Sequence, residues 1–191
     1  MARLRTLLLG VAMLVTSAGV ALAPAGAAYA VDDFTAFNRC QTGATAQLTN
    51  GLAAAGNALT TFTPPAFMLN NDAFRITASG SITVDLWRTS KSVGGDPVPA
   101  GAGFPIPGAR KYMLIARVNK GWFMTATGAI YPAGRWFPVG FDSGCLKYSR
   151  QSPVTPADPS AFLTFSYNDD NIADNGGAGN VLVRQWYCTI C

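Results

Sequence analysis

Residues 74–86 constrain the fold more than any other stretch of this chain. Phe74, Ile76 and Ala78 alternate with Arg75 and Thr77, and beyond Gly80 the apolar Ile82, Val84 and Leu86 alternate with Thr83 and Asp85. Successive side chains of a strand point to opposite faces, so this period of two describes a strand with one face in a core and one in water. Residues 111–118 are more continuously apolar and read as a central strand. Residues 122–125, 135–139, 144–148, 162–167 and 180–187 follow at short spacing, with Tyr131-Pro132-Ala133-Gly134 as a turn among them. Many short strands separated by Gly/Pro turns predict an all-β, antiparallel sandwich.

Two connections break the rhythm. Residues 89–109 contain nine glycines and prolines, and a loop of this length in a compact domain is usually functional or disordered. Its Phe104 and Ile106 argue that it packs on something. Residues 151–160 form a shorter Pro-containing surface loop. Before the strands, residues 31–66 have another texture, rich in Ala, Thr, Asn and Gly. Asp32 or Asp33 would cap a helix ahead of Phe34, Gly43, Gly51 and Gly56 interrupt it, and Pro64-Pro65 ends it. This predicts a short, partly helical N-terminal extension, tied to the main domain through Cys40, with the β domain running from residue 67 to 191.

The first thirty residues read as a secretory signal peptide. Arg3 and Arg5 supply the charged start, residues 7–22 the apolar run, and Ala28-Tyr29-Ala30 a small-x-small cleavage site. The other reading is a membrane anchor, but the run is short and broken by Gly10, Ser17 and Gly19. No later segment is apolar for long enough to span a bilayer. Loss of the two arginines takes the formal charge from +4 to +2. That is a weak balance for nucleic acid, and no basic run supports one. The chain is thus expected to be secreted, extracellular or at the cell surface. There, the even set Cys40, Cys145, Cys188 and Cys191 reads as two disulfides in one of three connectivities. Cys188-x-x-Cys191 has redox spacing, but it lies at the C-terminus rather than at a helix start. A staple from the C-terminal strand to Cys40 or Cys145 is the plainer expectation.

The chain has no histidine and no glutamate. Ser-His-Asp and Cys-His nucleophile systems are therefore impossible within it, as are histidine-based zinc sites. Nothing pairs two aspartates as a glycosidase requires. A non-enzymatic protein is expected.

The densest polar run is Asn168-Asp169-Asp170-Asn171-Ile172-Ala173-Asp174-Asn175-Gly176-Gly177, between two predicted strands. Calcium takes six to eight oxygen ligands from carboxylates, amides, carbonyls and water, and Asp169, Asp170, Asn171, Asp174 and Asn175 offer them. Gly176-Gly177 would permit the sharp backbone that turns oxygens inward. The order is not that of an EF-hand. The alternative is a polar turn, since Asn, Asp and Gly dominate turns for local hydrogen-bonding reasons.

Asn168-Asp169, then Asp174-Asn175-Gly176, then Asn180-Val181-Leu182-Val183 resembles the closing motif of the bacterial calcium-dependent galactophilic lectins and of related galactose-binding-like β-sandwich domains. Upstream, residues 71–80 resemble the family's early strand ending in glycine, and residues 111–118 the strand after its Gly/Pro-rich loop. The resemblance spans residues 67–187. It implies a jelly-roll-like sandwich in which a calcium ion bridges protein and sugar hydroxyls. Asp169, Asp174, Asn175 and the Asn171 region would be the metal ligands, with a further carbonyl from the segment after Gly80. The family also reads its sugar with a histidine and a glutamine in the Gly/Pro loop. This chain has neither there, so galactose itself is not implied.

Sugars stack their apolar faces on aromatic rings. Trp87, where a strand enters the long loop, and Phe104 within that loop are the candidate ligand-binding residues; the alternative for each is core packing. The function expected is a lectin-like, carbohydrate-binding domain, probing a glycan partner with calcium as cofactor. The competing expectation is a structural or protein-interaction domain in which calcium is absent or only stabilising.

Overall fold

The computed structural model describes residues 35–150 and 160–188. The signal peptide, Asp32, Asp33, Cys191 and most of the 151–160 loop lie outside the described residues. Two antiparallel sheets face each other, as the alternating pattern predicts. The larger contains β1 (Leu48–Ala55), β3 (Ala73–Ser79), β4 (Ser81–Thr83), β5 (Ser90–Ser92), β7 (Trp122–Thr125), β8 (Ile130–Pro132), β10 (Asp142–Ser149) and β12 (Gly176–Trp186). The smaller runs in the order β2 (Thr60–Phe62), β11 (Leu163–Tyr167), β6 (Leu114–Val118), β9 (Phe137–Pro138).

β12 is the spine of the larger sheet. Along one edge it pairs with all eight residues of β1, from Leu48↔Gln185 to Ala55↔Ala178. Along the other it pairs with β3 and then β4, and the pairs Ser79↔Asn180 and Ile82↔Gly177 keep one register across the gap. β3 and β4 are thus one interrupted strand. Its break is Gly80, held at φ +94°, a conformation that costs glycine little.

The core lies between the sheets. Phe74, Ile76, Val181, Val183 and Leu146 from one side meet Leu114, Ala116, Leu163 and Phe165 from the other, all buried. Phe123 centres an aromatic cluster, edge-on to Phe74, Phe137 and Tyr148 at 5.5–5.6 Å between ring centres. Such geometry adds to the area buried.

Among the described residues, 35–66 contain one short helix, α1 (Ala36–Gln41), and more than an extension. Their β1 and β2 supply a strand to each sheet. The helix starts later than expected, and its cap is Thr35, whose hydroxyl accepts the Asn38 N–H at 3.1 Å. α1 packs on the outer face of the larger sheet, where Ala36 and Cys40 bury against Ala73 and Trp186.

Cys40 bonds Cys145 on β10. This ties down the N-terminal segment as expected, but it overturns the expected staple, because neither cysteine is free to hold the C-terminal strand. Cys188 is itself disulfide-bonded, and no described cysteine is free. Leu86 corrects a second expectation. The alternation ends at Val84, and Leu86 is 83% exposed in a turn.

Candidate functional site

At the end of the sandwich where β12 begins, three segments converge: the Asx-rich loop, the β4–β5 hairpin and the long Gly/Pro loop. β11 delivers the Asx-rich loop. Its last residue, Tyr167, buries a hydroxyl that accepts the Gly179 N–H and donates to the Ala54 carbonyl. Burial pushes this phenol up to about 12, so it stays a donor at any physiological pH.

Asn168 follows, fully buried. Its Oδ1 accepts the Ile106 N–H at 2.8 Å, and its Nδ2 donates to the carbonyls of Ile106 (3.1 Å) and Arg110 (3.0 Å). Its main chain also exchanges bonds with Tyr112 and Met113. One side chain thereby fixes the long loop to the Asx-rich loop. The long loop is ordered within itself too, since its arms bond each other through Asp96–Lys111, Val98–Lys111 and Ala100–Ala109. Sequence reading singled out the acids and missed Asn168 as a clamp. Its one signal was position, an amide directly after the strand Leu163–Tyr167, every residue of which is buried.

The acids and amides then separate into two groups. Asp169 and Asn175 are buried, at 6% and 7% exposure, whereas Asp170 and Asn171 are exposed and Asp174 is half-buried. Asp169 Oδ1 accepts the Asn171 N–H at 3.2 Å, and Asn171 Nδ2 donates to Asp174 Oδ2 at 3.0 Å. Asn175 Nδ2 reaches the Gly56 carbonyl at 3.3 Å. Two acceptors remain: Asp169 Oδ2 and Asn175 Oδ1 are buried with no hydrogen-bond partner. Burial raises the Asp169 pKa above its ordinary value of 3.8. The Asn171 N–H and the neighbouring Asn175 side chain oppose the shift, and the adjacent Asp170 adds to it.

Glycines let the segments approach. A Cβ on Gly56 would stand 2.6 Å from the Gly176 carbonyl oxygen, and one on Gly176 would stand 2.7 Å from Thr83 Oγ1. Gly56 N–H donates to the Gly177 carbonyl at 2.9 Å, which anchors the loop's exit. Beside this exit lies a cavity of about 410 Å³ whose lining includes Thr83, Asp85, Arg88, Asp174, Asn175 and Gly177. Thr83, in the segment after Gly80, is among these lining residues.

The β4–β5 hairpin forms the cavity's rim. Asp85 Oδ1 accepts the Thr89 N–H at 2.8 Å, the Asp85 carbonyl accepts the Arg88 N–H, and Val84 bonds the Thr89 carbonyl. This closed turn thrusts Trp87 outward at 87% exposure, beside the lining residues Leu86 and Arg88. Phe104 sits differently. Its half-buried ring packs edge-on against Tyr112 at 6.5 Å between centres, with the Lys111 ammonium 5.3 Å from its own centre. Trp186 is core-like, and Trp136 lies under the Arg117 guanidinium.

The donor set suits a hard cation and no soft one. Among the described residues no three His, Cys, Asp or Glu side chains cluster as a metal site. An ion here would need amide and backbone oxygens beside one or two carboxylates, as calcium accepts. The two orphaned oxygens fit that need, because a buried acceptor with no donor is costly until a cation or water meets it.

No family model matches this chain, and no curated protein matches it. The solved structures that match include one described as "EclA N-terminal domain; PllA-like lectin". It is 21% identical, covers 74% of this chain and 98% of that chain, and superposes with a TM-score of 0.39.

Proposed function

We propose that this protein is a secreted, non-catalytic carbohydrate-binding domain whose site is the cavity between the Asx-rich loop and the β4–β5 hairpin. The observation that carries the reading is the pair of buried, donorless oxygens on Asp169 and Asn175, of which Asn175 lines a cavity whose lining residues Leu86 and Arg88 flank the exposed Trp87. A buried acceptor pair points to a cation, and an exposed ring beside it points to a ligand with both a polar and an apolar face. Sugars are such ligands. The ordered motif from Asn168 to Val183 supports the same reading.

Asp169, Asp174 and Asn175 would hold calcium, with Asn171 orienting Asp174 through its amide. The bound ion would supply direct coordination of sugar hydroxyls. The chain's own residues do the rest. Trp87 offers a ring for the apolar sugar face, and Asp85 keeps the turn that presents it. Asn168 ties the long loop to the Asx-rich loop that carries Asp174 and Asn175. The sugar class is not that of the galactophilic lectins by residue identity, since their histidine and glutamine have no counterpart in the long loop.

The test is thermal unfolding with excess calcium and with chelator, followed by a glycan array. A ligand that binds only the native state raises its stability by mass action. A calcium-dependent rise in Tm that disappears in Asp169→Ala, with glycan binding that disappears in parallel, is the expected result. Glycan binding that survives chelation and Asp169→Ala would separate the sugar site from the loop. No calcium shift and no glycan hit would leave a structural or protein-interaction domain as the function.

A further inference from the structure

Far along β12 from the Asx-rich loop, two arginines face each other. Arg184 of β12 and Arg75 of β3 are direct cross-strand partners. Eight residues of strand separate Arg184 from Gly176, roughly 26 Å at the rise of an extended chain. Like charges directly opposite on a sheet are destabilising, because opposed Cβ atoms lie only about 5 Å apart.

One carboxylate answers this pair. Asp142 takes Arg75 through Nε at 3.0 Å and through a second guanidinium nitrogen. The Arg75 bond is the main cause that holds the Asp142 carboxyl below its ordinary value, with Arg184 a weaker, longer-range contributor. The Arg184 side chain makes no hydrogen bond and no ion pair among the described residues. One positive charge per site is therefore left over.

That charge faces a shallow concavity. Arg75 and Arg184 line a cavity of about 250 Å³ together with Thr45, Ala46, Thr49 and Trp186. Thr49 is the cross-strand partner of Arg184 on the other side, through β1. The loop from residue 43 to 46 forms the opposite wall. It is held in place by Trp186 Nε1, which donates to the Ala44 carbonyl at 2.9 Å, and by the Cys40–Cys145 disulfide beneath. Two guanidiniums, two threonine hydroxyls and a fixed backbone wall thus surround one small concavity. Guanidiniums in a rigid fork match the geometry of oxyanions, which they bind by charge-assisted hydrogen bonds.

We propose that this cavity is an oxyanion-binding site, in which Arg184 and Thr49 take a sulfate, phosphate or carboxylate group and Asp142 competes for Arg75. The site stands apart from the proposed calcium and sugar site and does not depend on it. A singly charged group would complete the neutralisation that Asp142 begins.

Inorganic sulfate, phosphate and acetate are the probes. Each is titrated against sodium chloride at matched ionic strength, so that general screening cancels. Amide and arginine Nε resonances are followed by NMR. A local readout is needed because sulfate also stabilises proteins by exclusion from their surface. Saturable shifts confined to Thr45, Ala46, Thr49 and the Arg75 Nε are expected. Tetrahedral and planar anions are told apart by which of the three saturates at the lowest concentration. Arg184→Gln should weaken binding about tenfold, the loss of one charge-assisted contact. Arg184→Lys, which keeps the charge and loses the fork, should fall between. Asp142→Asn should tighten binding several-fold, because it removes the competitor. Shifts that fail to saturate, or that are the same in the wild type and Arg184→Gln, would overturn the proposal. So would weaker binding in Asp142→Asn, which would make the carboxylate a support of the pocket rather than a rival for it.

Discussion

Asn168 grips both backbone polar groups of Ile106: the Ile106 N–H donates to Asn168 Oδ1, and Asn168 Nδ2 donates back to the Ile106 carbonyl. The two residues are 62 apart in sequence. This reciprocal bond fastens a loop rich in glycine and proline, which has little apolar area of its own to bury. The Arg110 carbonyl shares the same amide. One side chain thus joins the long loop to the Asx-rich loop.

Asn168→Ala should cost about 1–3 kcal/mol, since it leaves the part-buried Ile106 N–H without its acceptor and takes a donor from the Arg110 carbonyl, while the Ile106 carbonyl keeps the Ala109 N–H. The loss is read by urea denaturation. Hydrogen exchange gives the sharper check. The Ile106 amide should lose protection, while the Tyr112 amide, which bonds the Asn168 main-chain carbonyl, should keep most of its own. Equal loss at both would mean that the strand end has moved as a whole.

Asp169 supplies a prediction about pH. Its folded pKa is raised, chiefly by burial, above 3.8. In metal-free protein its contribution to stability is then fully present below the unfolded value and is lost as pH rises through the folded one. Asp169→Asn removes this loss and places an amide donor near the orphaned Asn175 Oδ1. In chelator, the variant should therefore match or exceed the wild type, with a margin that widens as pH rises above 3.8 and levels off above the folded pKa. With calcium the order should reverse, because the carboxylate binds the ion more strongly than the neutral amide that replaces it. Unfolding at several pH values, with and without calcium, measures both. A margin that narrows as pH rises in chelator would contradict the burial argument.

The strand pattern was legible because burial here follows a period of two, as at Phe74, Ile76, Val181 and Val183. It failed where pairing, rather than side-chain chemistry, makes the strand. β1 reads Leu-Thr-Asn-Gly-Leu-Ala-Ala-Ala, poor in β-branched and aromatic residues, and only its Ala54 is fully buried. Its eight-residue register with β12 makes it a strand, and nothing local announces that partner. The end of β4 was misjudged for a local reason. Asp85 closes a turn onto Thr89, so Leu86 leaves the core face that its spacing assigned to it. The acidic loop was legible as a cluster of oxygens. Its division into buried Asp169 and Asn175 and exposed Asp170 and Asn171 was not, because Gly56, from 119 residues away, takes the Asn175 amide. Cysteine pairing could not be read at all, since four cysteines allow three connectivities.

Trp87 separates function from stability. At 87% exposure it contributes little to the core, so Trp87→Ala should change stability by no more than about 0.5 kcal/mol. If its ring is the sugar platform, the same variant should lose glycan affinity about tenfold, the scale of one good aromatic contact. Phe104→Ala should behave in the opposite way. Its ring is engaged by Tyr112 and Lys111, so the variant should lower Tm and leave glycan affinity nearly intact. Paired thermal scans and binding isotherms would show whether the two effects divide in this way. A Trp87→Ala variant with full affinity would remove the hairpin from the site.

The Cys40–Cys145 bond closes a loop of 105 residues, and in the chain-entropy account a loop of that length contributes about 4–5 kcal/mol by restricting the unfolded chain. The double variant Cys40→Ala/Cys145→Ala should therefore lower stability by about 2–5 kcal/mol. It should also act locally. α1 meets the sheet mainly through Ala36, Cys40, Ala73 and Trp186, too small a cluster to hold a six-residue helix alone. Without the bond, α1 should detach and expose Trp186, whose indole now bonds the Ala44 carbonyl. A red shift of tryptophan emission under native conditions, preceding the main unfolding transition, is the expected signature. The sandwich itself should persist, because β1 keeps its pairing with β12 on the far side of that cluster. A single transition with no early red shift would mean that α1 and the sheet unfold as one unit.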